Sequence, residues 1–138
     1  MCMLVYIASD SPVRLIPWDP NDRGFHLQEP SGERDESVRR QFSKPFVYYA
    51  GSHLGCGCGF EYGQWEDPEE DEDERRKSVA DLSRYLADAV KEQGAVELFA
   101  CWDGDQAEKP ESRETITPEW IGGERFRFKE KQFFVVQP

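Results

Sequence analysis

Two cysteines and a histidine fall within six residues of one another in the stretch Gly51-Ser52-His53-Leu54-Gly55-Cys56-Gly57-Cys58-Gly59. His53-x-x-Cys56-x-Cys58 offers soft and borderline donors at short spacing. Zinc takes thiolate sulfur and imidazole nitrogen in a tetrahedral set, so these three residues are candidate ligands. A fourth could come from Cys2 or Cys101, the remaining cysteines, or from a carboxylate. The pattern lacks the paired Cys-x-x-Cys motifs that mark a zinc site most specifically. The bland alternative is packing, because free cysteine is among the most buried residue types.

The same thiols could do redox or nucleophilic chemistry. A Cys-x-Cys pair can cycle through a disulfide, although near neighbours close a strained ring. His53 beside a thiol would favour the thiolate. No third residue that would orient the histidine is recognisable, so no catalytic set can be named.

Cys2 raises a separate possibility. Removal of Met1 would expose a cysteine whose thiol and amine can serve as nucleophile and base. The opening Met1-Cys2 resembles the start of class II glutamine amidotransferases and other N-terminal-nucleophile hydrolases. The resemblance covers two residues, and Met3 and Leu4 stand where the amidotransferases usually carry glycine and isoleucine. It implies a nucleophilic Cys2 within a four-layered fold.

A second feature is charge. The chain of 138 residues carries a net charge of −11, and Glu66 to Glu74 contributes eight acids and no base. Without that run the charge is −3, so the acidity is local. Glu69, Glu70, Asp71, Glu72, Asp73 and Glu74 are therefore candidate contacts for a basic protein, as in an inhibitor or immunity-type module. The solvated start of a helix is the plainer reading. Nucleic acid and anionic membranes are poor partners for such a chain, since phosphate contacts need clustered Lys and Arg.

These residues must be positioned by a single domain, long enough to bury a core rich in aromatics. No apolar run approaches the roughly 20 residues of a membrane helix. Met1 to Asp10 is apolar but has no basic lead-in and no small-residue cleavage site, so it reads as a strand and not as an export signal. That points to the cytoplasm, where thiols stay reduced.

Residues 2–8 are apolar on both faces, as in a central strand. Residues 25–29 alternate, which predicts a half-buried strand with His26 at the surface or half-buried. Residues 33–44 allow one or two helical turns. Phe46 to Ala50 reads as a strand ending at Gly51. Residues 51–69 read either as one long functional loop or as a hairpin turn over 51–55 followed by a return strand over 56–62. The regular alternation favours the strand, with Cys56, Cys58, Phe60 and Tyr62 on one face and about 6.6 Å between the two cysteine α-carbons. Gathering both on one ion would instead need a bent backbone, which the glycines permit.

Val79, Leu82, Leu86, Ala89 and Val90 have helical spacing and predict one amphipathic helix over about 70–93, stopped at Gly94. Residues 96–101 form the next strand, and a strand, helix and strand in this order predict a crossover. A polar loop is expected through about residue 113, then a capped turn at Thr117-Pro118. The end of the chain reads as a hairpin, 124–129 against 133–136. The expected architecture is α+β: about six or seven mostly antiparallel strands with the long helix packed on one face.

Overall fold

The computed structural model describes residues 2–61 and 70–138. Trp65, Tyr62 and the acidic residues from Glu66 to Glu69 lie outside the described residues.

The fold is α+β, built on one six-stranded sheet: β1 (Met3–Ser9), β2 (His26–Gln28), β3 (Phe46–Gly51), β4 (Val96–Trp102), β5 (Ser112–Ile116) and β6 (Gln132–Val136). Across the sheet the order is β2-β3-β1-β4-β6-β5. All neighbouring pairs are antiparallel except β5 with β6. The helices are α1 (Gly32–Ser37), α2 (Glu72–Gln93) and α3 (Pro118–Ile121).

β1 is buried along its whole length, as a strand apolar on both faces must be. Its odd positions, Met3, Val5 and Ile7, pack under α2 with Val79, Leu82, Leu86 and Val90. Its even positions, Leu4, Tyr6 and Ala8, join a second cluster with Val38, Val47, Phe99 and Phe133. Both β3 and β4 pair antiparallel with β1, so they run parallel to each other. α2 thus carries the chain across β1, the crossover expected from the sequence. Gly94 ends the helix at φ +89, where a side chain would be strained. Thr117 caps α3, its side chain accepting the Trp120 amide.

Three expectations give way. Residues 57–60 form a 3-10 turn and not a return strand. Ser52 is the reason: its buried hydroxyl accepts the amides of Leu54 and Gly59 and donates to the Cys56 carbonyl. These local bonds curl the chain and remove the backbone groups a strand would pair. At the far end, β6 pairs with β5 and β4, so 124–129 form no hairpin strand. Phe126 and Phe128 turn inward instead, stacking with each other and with Phe134. Just after the expected polar loop, residues 112–116 supply β5, an edge strand whose exposed polar residues gave no apolar signal. Third, His26 is buried, against Trp18 and below Gly51.

Candidate metal centre

The sequence places the candidate chemistry in residues 53–62, with His53, Cys56 and Cys58 at its centre. The structure brings Cys56 and Cys58 together with Cys2, and their three sulfurs all lie within 4.8 Å of one another. Cys2 comes from the exposed lead-in to β1. Cys56 and Cys58 come from the turn after β3, half-buried over the end of β1. Two segments more than fifty residues apart therefore converge on one point.

Glycine makes the convergence possible. A β-carbon on Gly57 would sit 2.8 Å from the Met3 carbonyl oxygen and 2.9 Å from the Val5 side chain. The turn can lie on β1 only because position 57 has none. Gly55, at φ +88, makes the preceding bend. The Gly55 carbonyl accepts from the Tyr49 hydroxyl at 2.6 Å, and the Ser52 amide donates to the Cys56 carbonyl at 2.9 Å.

The electrostatics single out Cys58. Its sulfur accepts the Met3 amide at 3.2 Å. The Cys56 thiol, donating to the same sulfur, is the largest influence on it. Together with the Met3 amide and the Cys2 thiol, it outweighs burial and pulls Cys58 down to about 5. Cys56 moves up, because its proton is held in that hydrogen bond and because it is partly buried. These contacts favour a thiolate at Cys58, flanked by the neighbouring thiols and one backbone amide. Burial and the nearby sulfurs and carboxylates also push the Tyr49 phenol up.

His53 stands apart from the sulfurs. Its Nδ1 faces the Ser78 hydroxyl at 3.0 Å and its Nε2 faces the Asp71 carboxylate at 2.8 Å. Its own backbone amide donates to Ser78 Oγ at 3.2 Å. Asp71 is shared with Arg75 Nε at 2.8 Å, and the two contacts, Arg75 first, hold its carboxyl below the usual range. Arg75 Nη1 reaches back to the carbonyls of Cys58 at 3.0 Å and Glu61 at 3.1 Å. The first turns of α2 thus grip the cysteine turn at both ends. Ser78 is fully buried, so the serine, histidine and aspartate form a brace with no open nucleophile.

Cys101 is also apart, buried in the second cluster with Leu4 and Phe133, where burial raises its thiol to about 12. Of the acids proposed for a basic partner, Asp71 is committed to His53 and Arg75, and Glu72 pairs with Arg76 at 2.9 Å. Glu70, Asp73 and Glu74 are exposed, and Glu69 lies outside the described residues.

Sequence reading missed Ser52, Arg75 and Ser78. Ser78 did leave a trace: it is a polar residue directly before Val79 on the buried face of α2. Ser52 left none, since its partners are backbone atoms of a turn whose shape was not apparent. The i,i+4 spacing of Asp71 and Arg75 gave no sign that Arg75 also holds the carbonyls of Cys58 and Glu61.

Comparison of the chain with protein-family models, with curated proteins and with solved structures finds no match to any of them. Among the described residues no helix is long and apolar enough to cross a membrane. The single sheet also differs from the four-layered fold implied by the Met1-Cys2 resemblance.

Proposed function

We propose that the protein binds a thiophilic metal ion, zinc foremost, on the sulfurs of Cys2, Cys56 and Cys58. The observation that carries this reading is the mutual approach of the three sulfurs to within 4.8 Å from separate parts of the chain. Zinc–sulfur bonds of about 2.3 Å at tetrahedral angles put sulfurs about 3.8 Å apart. Rotation about cysteine χ1 can close that difference without moving the backbone.

The chain's own residues prepare the site. The amide of Met3 and the grip of Arg75 fix Cys58, and an amide donor to a ligating sulfur offsets part of its charge. Cys2, the exposed member, is the side chain through which an ion enters. Three sulfurs leave a fourth position for water or a further donor, the pattern of a zinc site open to exchange or chemistry. A reducing setting such as the cytoplasm keeps the sulfurs available. His53 acts in this reading as a brace and not as a ligand.

Cobalt(II) substitution tests the reading. The reduced protein should take one cobalt ion with tetrahedral ligand-field bands and an intense thiolate charge-transfer band. C56S and C58S should each lose most of that band, and H53Q should keep it. A charge-transfer band that survives both serine substitutions would refute the site.

A further inference from the structure

We infer that Cys2 and Cys58 are a peroxide-sensitive pair, joined by a reversible disulfide that dismantles the three-sulfur site. The disulfide rests on the placement of the sulfurs alone; the loss of metal that follows from it rests on the metal reading.

The placement favours this pair. Cys58 Sγ lies against the Cys2–Met3 peptide, held there by the Met3 amide at 3.2 Å. The Cys2 sulfur is within 4.8 Å of it, on an exposed residue whose backbone is tied through its carbonyl to the Asp103 amide at 2.9 Å. Its side chain is therefore free to turn toward Cys58. Cys56 is worse placed. Its carbonyl is fixed by both the amide and the hydroxyl of Ser52, and its backbone is extended where Cys58 sits in the 3-10 turn. Closing a ring of three residues there would have to distort this hydrogen-bonded turn, whereas a bond to Cys2 crosses between separate segments. The sulfurs are partly open to small solutes, Cys2 fully so.

The chemistry needs one oxidant, a hydroperoxide. The sulfur of Cys58 attacks the terminal peroxide oxygen. The O–O bond breaks, an alcohol or water leaves, and Cys58 becomes a sulfenic acid. The Cys2 sulfur then attacks the Cys58 sulfur. The S–S bond forms, the S–O bond breaks, and the hydroxyl leaves as water with the proton from Cys2. Two electrons pass from the two thiols to the peroxide. A dithiol reverses the change by exchange. With two of its three sulfurs joined, the site can no longer hold an ion on three thiolates.

The test treats reduced, metal-free protein with one equivalent of hydrogen peroxide, unfolds it in denaturant, blocks remaining thiols by alkylation, and maps linkages by tandem mass spectrometry. A Cys2–Cys58 bond with Cys56 and Cys101 alkylated is the expected result. C56S should form the same bond, and C2S should instead leave a sulfenic acid on Cys58 that dimedone traps. Dithiothreitol should restore all four thiols. Four unreacted thiols, or a bond that includes Cys56, would overturn the pairing. Zinc affinity of the oxidised protein should fall at least tenfold from that of the reduced protein. Undiminished affinity after oxidation would overturn the gating. Reduced protein that takes no zinc would overturn the metal reading while leaving the disulfide to be judged by its own map.

Discussion

The backbone amide of Met3 donates to the sulfur of Cys58 at 3.2 Å, linking the first strand of the sheet to a turn fifty-five residues later. This contact adds to the larger pull of the Cys56 thiol, and together they set Cys58 apart from the other three cysteines. Its surroundings favour the thiolate, while those of Cys56 and Cys101 favour the thiol. Iodoacetamide should therefore label Cys58 fastest in metal-free protein. Because the thiolate reacts, the rate should stay nearly level from pH 8 down to about 6 and drop as pH falls through about 5. Mass-spectrometric labelling rates across that range check this, and a Cys58 rate still climbing between pH 7 and 9 would contradict it.

The glycine beneath the turn gives a test that leaves every thiol intact. Gly57→Ala puts a β-carbon within 2.8 Å of the Met3 carbonyl, a backbone atom that cannot step aside. The turn must lift from β1, which moves Cys56 and Cys58 away from Cys2. Zinc affinity should fall by more than tenfold, and the loss of packing should cost about 1–3 kcal/mol of stability. Gly55→Ala strains the backbone alone, with open space around it, and should weaken binding less. Competition with a chromophoric chelator measures both. Equal losses for the two variants would argue against contact with β1 as the cause.

Arg75 positions the site without touching a sulfur. Arg75→Met removes its donors to the carbonyls of Cys58 and Glu61 and frees Asp71. Loss of a supporting partner of this kind typically costs about 10–100-fold in metal affinity. Arg75→Lys should recover part of it, since one cation can still reach a carbonyl. Metal affinities equal to wild type in both variants would show that α2 does not set the turn.

His26 makes stability depend on pH. Burial lowers its pKa, against a smaller opposing pull from the Gly24 carbonyl. The folded pKa lies below the unfolded value of about 6.5. Below that pH the unfolded chain takes up a proton that the fold resists, so unfolding becomes easier as pH falls. Stability linked to His26 is complete above about 6.5 and is lost as pH drops through the folded pKa. Urea midpoints at pH 7.5 and 5.5 should differ more in wild type than in His26→Gln. Equal differences would remove His26 as the cause.

Much of this was readable in the chain, for physical reasons. α2 was legible because Val79, Leu82 and Leu86 repeat at helical spacing over a long segment, and the structure places it at Glu72–Gln93. β1 was legible because both of its faces are apolar. The candidate site was legible in part: Cys56 and Cys58 stood out by density, and Cys2 was one of several distant candidates alongside Cys101. Its geometry was not legible. Alternating residues in 56–62 look like a strand until a buried serine four residues earlier claims the amides of Leu54 and Gly59. His53 looked like a ligand because it is near in sequence, but Ser78 and Asp71, on and beside a helix that begins nineteen residues later, engage both of its ring nitrogens. β5 was hidden because an edge strand facing water carries no apolar stripe.

Metal content bears most directly on the central claim. Untagged protein purified without chelator, under reducing conditions, would be assayed by inductively coupled plasma mass spectrometry, with accessible thiols counted before and after adding chelator. The account predicts about one zinc per chain, with Cys2, Cys56 and Cys58 protected until chelator removes it and Cys101 protected by burial throughout. Protein free of metal that takes up no zinc on reconstitution, with Cys2, Cys56 and Cys58 alkylated equally with and without chelator, would contradict it.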